Sequence, residues 1–429
     1  MEINNIISKF ESATCFKLNR DKTKIFGVGR WKDRQQWPLD WLKTETTFMY
    51  TLGVYHGNNY QDTLEKNWTV IITKVQSHVN ILHNRRISLF QRAAYANSCI
   101  LSKVWYLSHI YPLTGLYAKN INSILFRYVW CGGYEPIRRT TIFKPKCLGG
   151  IGLINCQLKS KVLIANSFLK CYISEEYKNS LMIYYCFLKM NNTVRKNFSV
   201  NDAAIISPPY YQAILSTVDK FLNVPTFPIL SNIKMYESML PKEQPLVENL
   251  YPQFNWKKIW KNFCEIRTNP FDKDIIYKHL HTSLATRSRL AMFNIANDNL
   301  CNLCNEGKEQ TDLHIFCECS YIFPFYQWLL NILIQLCDFK PGSNIRFLYY
   351  DSFYLNMYQK RICILFLTVY IITVWKTRKE NLRIGKLKNL FIKRVIDDIR
   401  IKKEISGKSR EEIYGEYFIR LTDEELNKL

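Results

Sequence analysis

At 429 residues the chain is long enough for roughly two or three domains and a sizeable apolar core. Hydrophobic residues make up 47% and aromatics 14%, which excludes a disordered chain. Lys and Arg total 59 against 36 acids, a net charge of +23. So large a basic surplus points to a polyanionic partner, nucleic acid first and an anionic membrane surface second.

The opening "MEINNIISKF" lacks the charged, apolar, small-residue layout of a secretory signal, so the scattered cysteines read as reduced thiols in cytoplasm or nucleus. Residues 1–60 read as short strands and loops, with "KIFGVGRW" and "FMYTLGVYHG" each a small apolar run ended by glycine. From residue 64 the pattern turns helical. Leu64, Trp68, Ile71, Ile72, Val75, Val79 and Leu82 fall at steps of three and four, one face of a long helix. A second helix is expected over about 87–107 and a third over about 119–130, stopped by "CGG". Three amphipathic helices in succession predict a small bundle.

"KPKCLGGIGLIN" (144–155) reads as a turn and not a phosphate loop, because no GK[ST] follows it. Residues 160–250 read as mostly helical, with the linker placed at "SPPYY" and "NVPTFPIL". The second half restarts at "FNWKKIWKNF" (254–263). The apolar run "ICILFLTVYIITVW" (362–375) is too short to cross a bilayer comfortably and predicts a buried helix, with no membrane span. Between Lys376 and Arg410 stand thirteen basic and four acidic residues, with Phe391, Val395 and Ile399 keeping a helical stripe, which reads as one basic amphipathic helix. Asp397 and Asp398 on it read as solvated.

Residues 301–319 hold four cysteines and a histidine. Cys301, Cys304, His314 and Cys319 follow C-x2-C-x9-H-x4-C, a set suited to tetrahedral zinc. Their donor atoms should then lie roughly 3.3–4 Å apart. Cys317 competes with Cys319 as fourth ligand, with Cys319 favoured. The alternative is a cysteine-rich piece of core. Four protein ligands close the site, so the expected role is one structural zinc and not an active site. The aromatic run Phe323, Phe325, Tyr326 and Trp328 is expected to pack the next helix against this knuckle.

Taken in order, "ATCFKLNRDKTKIFGVGRW", "YTLGV", Trp68, "NRRISLFQRA", "FRYVWCGG", "PKCLGGIGL", "HTSLATRSRL", the CCHC cluster and "VWKTRKENL" resemble the back half of the second-frame polyprotein of LINE-type, non-LTR retrotransposons. The resemblance covers about residues 5–385. It implies the end of a reverse-transcriptase palm (1–60), a thumb-like helical bundle (61–135), a helical connector (136–250), a reverse-transcriptase zinc-binding-type domain (251–345) and C-terminal helices with a basic tail (346–429). The expected fold is therefore mainly α, with a small α+β remnant at the N-terminus. No Tyr-x-Asp-Asp occurs in the sequence, so no catalytic residue and no catalytic Mg site are expected, nor primer extension. The resemblance implies largely non-sequence-specific contact with RNA or DNA. It makes Lys22, Lys24 and Arg30 candidates near the primer, and Arg85, Arg86 and Arg92 candidates along a duplex. Arg287 and Arg289, beside His279 and His281, are candidates before the zinc segment. The competing reading is a structural or interaction relic without a nucleic-acid partner.

Overall fold

The computed structural model describes residues 2–34, 37, 43–45, 47–173, 231–337, 355–380 and 382–428. The linker expected at 207–211 and 223–230 lies outside the described residues. The fold is mainly helical with a small N-terminal sheet region, as the sequence predicts. It divides into two compact units, each drawn from separate stretches of chain: 1–84 with 98–125 and 155–239, and 85–97 with 126–154 and 240–429.

The first unit opens with helix α1 (Glu2–Thr14), which the sequence reading missed. Its apolar residues are largely exposed, Ile6 at 65% and Phe10 at 54%, so no buried stripe marked it. Strand β1 (Lys24–Phe26) pairs in parallel with β2 (Lys43–Glu45). Strands β3 (Phe48–Thr51) and β4 (Val54–Gly57) form an antiparallel hairpin. The connecting Leu52 and Gly53 have φ of 48° and 83°, the paired left-handed geometry that suits a two-residue hairpin turn. Helix α2 (Tyr60–His83) then carries the predicted stripe, burying Leu64, Trp68, Val75, Val79 and Leu82. Its Asn67 holds the hairpin: the side chain donates to the Tyr55 carbonyl at 2.7 Å and accepts from the Tyr55 amide at 2.9 Å.

The expected second helix is broken. It forms α3 (Leu89–Tyr95), a π-helical turn over Ala96–Ile100, and α4 (Ser102–Ser108). Asn97 in that turn donates to the Gly152 carbonyl at 2.8 Å and accepts from the Ile154 amide at 2.9 Å. Helix α5 (Gly115–Val129) follows, and the chain leaves it through Cys131 and Gly132 at positive φ, as the paired glycines predict. Helices α6 (Arg139–Ile142), α7 (Cys156–Ile173), α8 (Asn232–Met239) and α9 (Leu246–Leu250) come next.

In the second unit the "CLGGIG" stretch is a packing turn. A Cβ on Gly150 would sit 1.9 Å from the Lys144 carbonyl oxygen, so only glycine fits. The Gly149 carbonyl accepts from the Tyr277 hydroxyl at 3.0 Å and from His281 Nε2 at 2.8 Å. Tyr277 lies on α11 (Pro270–Leu280), after α10 (Trp256–Glu265), and His281 caps α11. Short α12 (Arg287–Met292) leads to the cysteine cluster, and α13 (Phe323–Cys337) follows it.

Helix α14 (Met357–Thr377) contains the apolar run expected as a buried helix. It is the one helix among the described residues long and apolar enough to cross a membrane, and 67% of its apolar window is buried inside the protein. Phe325 on α13, Tyr370 on α14 and Phe391 on α15 (Ile384–Ser406) meet in its core. The basic stretch is therefore not one helix: α14 ends at Thr377, and α15 starts at Ile384. Helices α16 (Arg410–Tyr414) and α17 (Asp423–Asn427) close the unit.

Candidate metal centre

The knuckle begins as a tiny antiparallel ribbon. Leu300 bridges Glu309, the Cys301 amide donates to the Lys308 carbonyl at 2.8 Å, and the Gln310 amide to the Asn299 carbonyl at 2.8 Å. The turn between them passes through Gly307 at φ 63° and folds the Leu303 amide back onto Cys301 Sγ at 3.4 Å. The other two ligands frame a π-helical turn, His314–Glu318, with His314 as its first residue and Cys319 as its C-cap. Its closing bond, from the Cys319 amide to the His314 carbonyl at 2.8 Å, spans five residues. That spacing brings the two side chains to one side, where an ordinary α-turn would stagger them.

Cys301, Cys304, His314 and Cys319 are all buried, and their donor atoms all lie within 4.8 Å of one another. His314 Nε2 stands 3.4 Å from Cys304 Sγ, so that nitrogen faces the cluster. The spread exceeds the 3.3–4 Å expected from bond lengths. Tetrahedral zinc–sulfur bonds of ~2.3 Å put neighbouring sulfurs about 3.8 Å apart, so an ion would draw the ligands inward. Cys317 is not in the set and lies beside Tyr326.

The electrostatics fit a divalent cation. Burial alone would raise the Cys301 thiol, but amides of Leu303 and Cys304 donate to its sulfur, with Cys304 and Gln310 side chains, and bring it below its ordinary value. Cys319 is pushed up to about 12 by burial and then by the charge of Cys301 and Cys304. Three sulfurs this close cannot all ionise without a positive charge between them, which a metal supplies. Burial also lowers His314, keeping the ring neutral and its nitrogen available as a ligand. With four protein donors converging, the set fits one structural zinc.

Residues 231–324 match the protein family described as zinc-binding in reverse transcriptase. The match supports a reverse-transcriptase-related protein. No curated protein matches the chain. The reverse-transcriptase zinc-binding segment leans on chain outside its own limits. The Tyr370 hydroxyl donates to the Phe316 carbonyl at 2.6 Å, and Arg289 donates to the Pro136 carbonyl at 2.6 Å. Of the aromatic run after the cluster, Tyr326 lies against Cys317 of the knuckle, and with Phe325 it meets Tyr370 of α14 at a tilt, while Phe323 is 42% exposed.

The basic candidates have unequal surroundings. Lys22, Arg30, Arg85 and Arg86 are exposed, with Arg30 lying over the Trp31 ring and Arg86 over Phe271. Lys24 pairs with Glu45, and Arg287 with Asp298. Arg92 is only 5% exposed and donates to the Tyr128 and Arg85 carbonyls at 3.3 and 3.2 Å. Arg289 donates to the Thr282 carbonyl at 2.8 Å besides Pro136. His279 and His281 are buried, and His281 stacks on Trp260. Asp398, read as solvated, is instead half-buried, and burial pushes it up to about 6.

Proposed function

We propose that the chain is a part of a LINE-type reverse transcriptase running from the end of the palm through thumb and zinc segment, retaining RNA or DNA binding without the catalytic aspartates. The zinc cluster acts as a staple in this reading. The observation that carries it is the convergence of Cys301, Cys304, His314 and Cys319 inside the 231–324 match, in a chain of net charge +23. The thumb assignment for the helices between 61 and 135 and the retrotransposon subtype rest on the motif order.

Phosphate contacts fall to cations not already engaged by the protein's own oxygens. Among the described residues these include Lys22 and Arg30 in the first unit, and in the second Arg85 and Arg86, with Lys386, Lys393 and Lys403 on the exposed side of α15. Arg92 and Arg289 hold backbone carbonyls and are assigned to the scaffold. With about four phosphates neutralised, affinity should fall roughly fifty-fold on a single strand, and roughly 150-fold on a duplex, between ~50 and ~200 mM salt. Filter binding of the full chain to single-stranded RNA and to duplex DNA, titrated with KCl, tests this. Binding no stronger than a neutral control protein at low salt would instead favour a structural relic with no nucleic-acid partner.

A further inference from the structure

A cavity of about 340 Å³ lies in the second unit among α10, α14, α15 and α16, away from the zinc cluster. Thr368 and Tyr414 stand behind its wall, at 1% and 0% exposure, with their hydroxyls closed off from the space. Arg361 contributes one N–H to the Ile413 carbonyl at 2.7 Å and keeps further donors. Lys402 lines the same space, one turn after Asp398 on α15. Arg267 and Lys408 stand at the exposed rim with Glu265.

Four cations against two carboxylates leave a surplus of two positive charges around the cavity. That matches a phosphate monoester, which carries close to two negative charges and three acceptor oxygens at neutral pH. Lys402 and the remaining N–H groups of Arg361 donate to such oxygens, and Lys402 offsets the repulsion from Asp398. The remaining wall is aliphatic, from Ile364, Leu365, Ile405 and Ile413, and gives an apolar body its place. We propose that this cavity is a binding site for a small phosphate monoester with an apolar body.

The test is calorimetric titration of phenyl phosphate into the zinc-loaded full chain, with inorganic phosphate and phenol as half-ligand controls. The expected result is one site per chain, at least tenfold tighter for phenyl phosphate than for either half, and weakened at least tenfold in Lys402→Ala. Should Lys402→Ala fail to melt cooperatively, Lys402→Met, which removes the charge and keeps the apolar stem, decides by the same tenfold criterion. No saturable phenyl phosphate binding, or binding that the deciding variant weakens less than tenfold, overturns the proposal.

Discussion

Two residues show how burial sets behaviour one side chain at a time. Cys301 is held by amides at the start of the knuckle, so its loss removes a ligand whose thiolate the backbone has prepared. Cys301→Ser should release zinc, measured as metal per chain, and raise amide exchange across 299–319 while α2 stays protected, because metal-binding free energy here is local folding free energy. His281 is pushed down to about 4 by burial, with Arg289 adding to the shift and the Gly149 carbonyl opposing it. Its folded value is below the unfolded one near 6.5, so its contribution is whole above pH ~6.5 and fades as pH falls through ~4, by about 3 kcal/mol. Asp274 has the opposite sign. Burial pushes it up to about 6, although the Leu89 amide donates to it at 2.7 Å. Its contribution is therefore whole below pH ~4 and fades as pH rises through ~6. The two nearly cancel between pH 4 and 6. His281→Gln, which keeps a donor for Gly149, should unmask Asp274. Relative to the parent, the variant should gain stability on acidification from pH 6.5 to 4, read from urea melts; parallel curves would refute this.

At the scale of elements, periodicity revealed what packing against one neighbour decides. The stripe of α2 and the apolar run inside α14 were legible because each buries a regular face. The break between α3 and α4 was not, because Asn97 turns there to satisfy Gly152 and Ile154, more than fifty residues later in the chain. Asn97→Ala should cost about 2 kcal/mol in urea unfolding, one to each lost bond, and a neutral result would show that the π-helical turn forms without it. The metal centre was legible for the converse reason. All four ligands fall within nineteen positions, so spacing alone carries the chemistry. The basic candidates were not separable by sequence, since Arg289 differs from Arg86 through the carbonyls it holds at Thr282 and Pro136. The missed α1 and the half-buried Asp398 belong to the same class, one lacking a buried face and the other gaining one from distant chain.

For the whole molecule, the match at 231–324 and the folded unit are different objects. The unit that holds the zinc cluster also takes in 85–97 and 126–154, which supply the oxygens of Gly149 and Pro136. A fragment of residues 231–324 should therefore bind zinc through its local ligands yet melt without a cooperative transition, whereas the full chain should show one. Calorimetry on both separates the two cases, and a sharp melt of the fragment would show that the outside contacts are dispensable.

The Gly149 carbonyl waits for Tyr277 and His281, 128 and 132 residues downstream, and the Leu89 amide waits for Asp274, 185 residues downstream. At roughly 5–20 residues per second on a ribosome, the "FKPKCLGGIGL" segment spends on the order of ten seconds without its partners. During that interval Phe143 can already pack edge-on against Phe126, but the Gly149 carbonyl has neither of its donors. The turn that looks like a simple glycine bend thus leaves the nascent chain with an open backbone acceptor until α11 emerges.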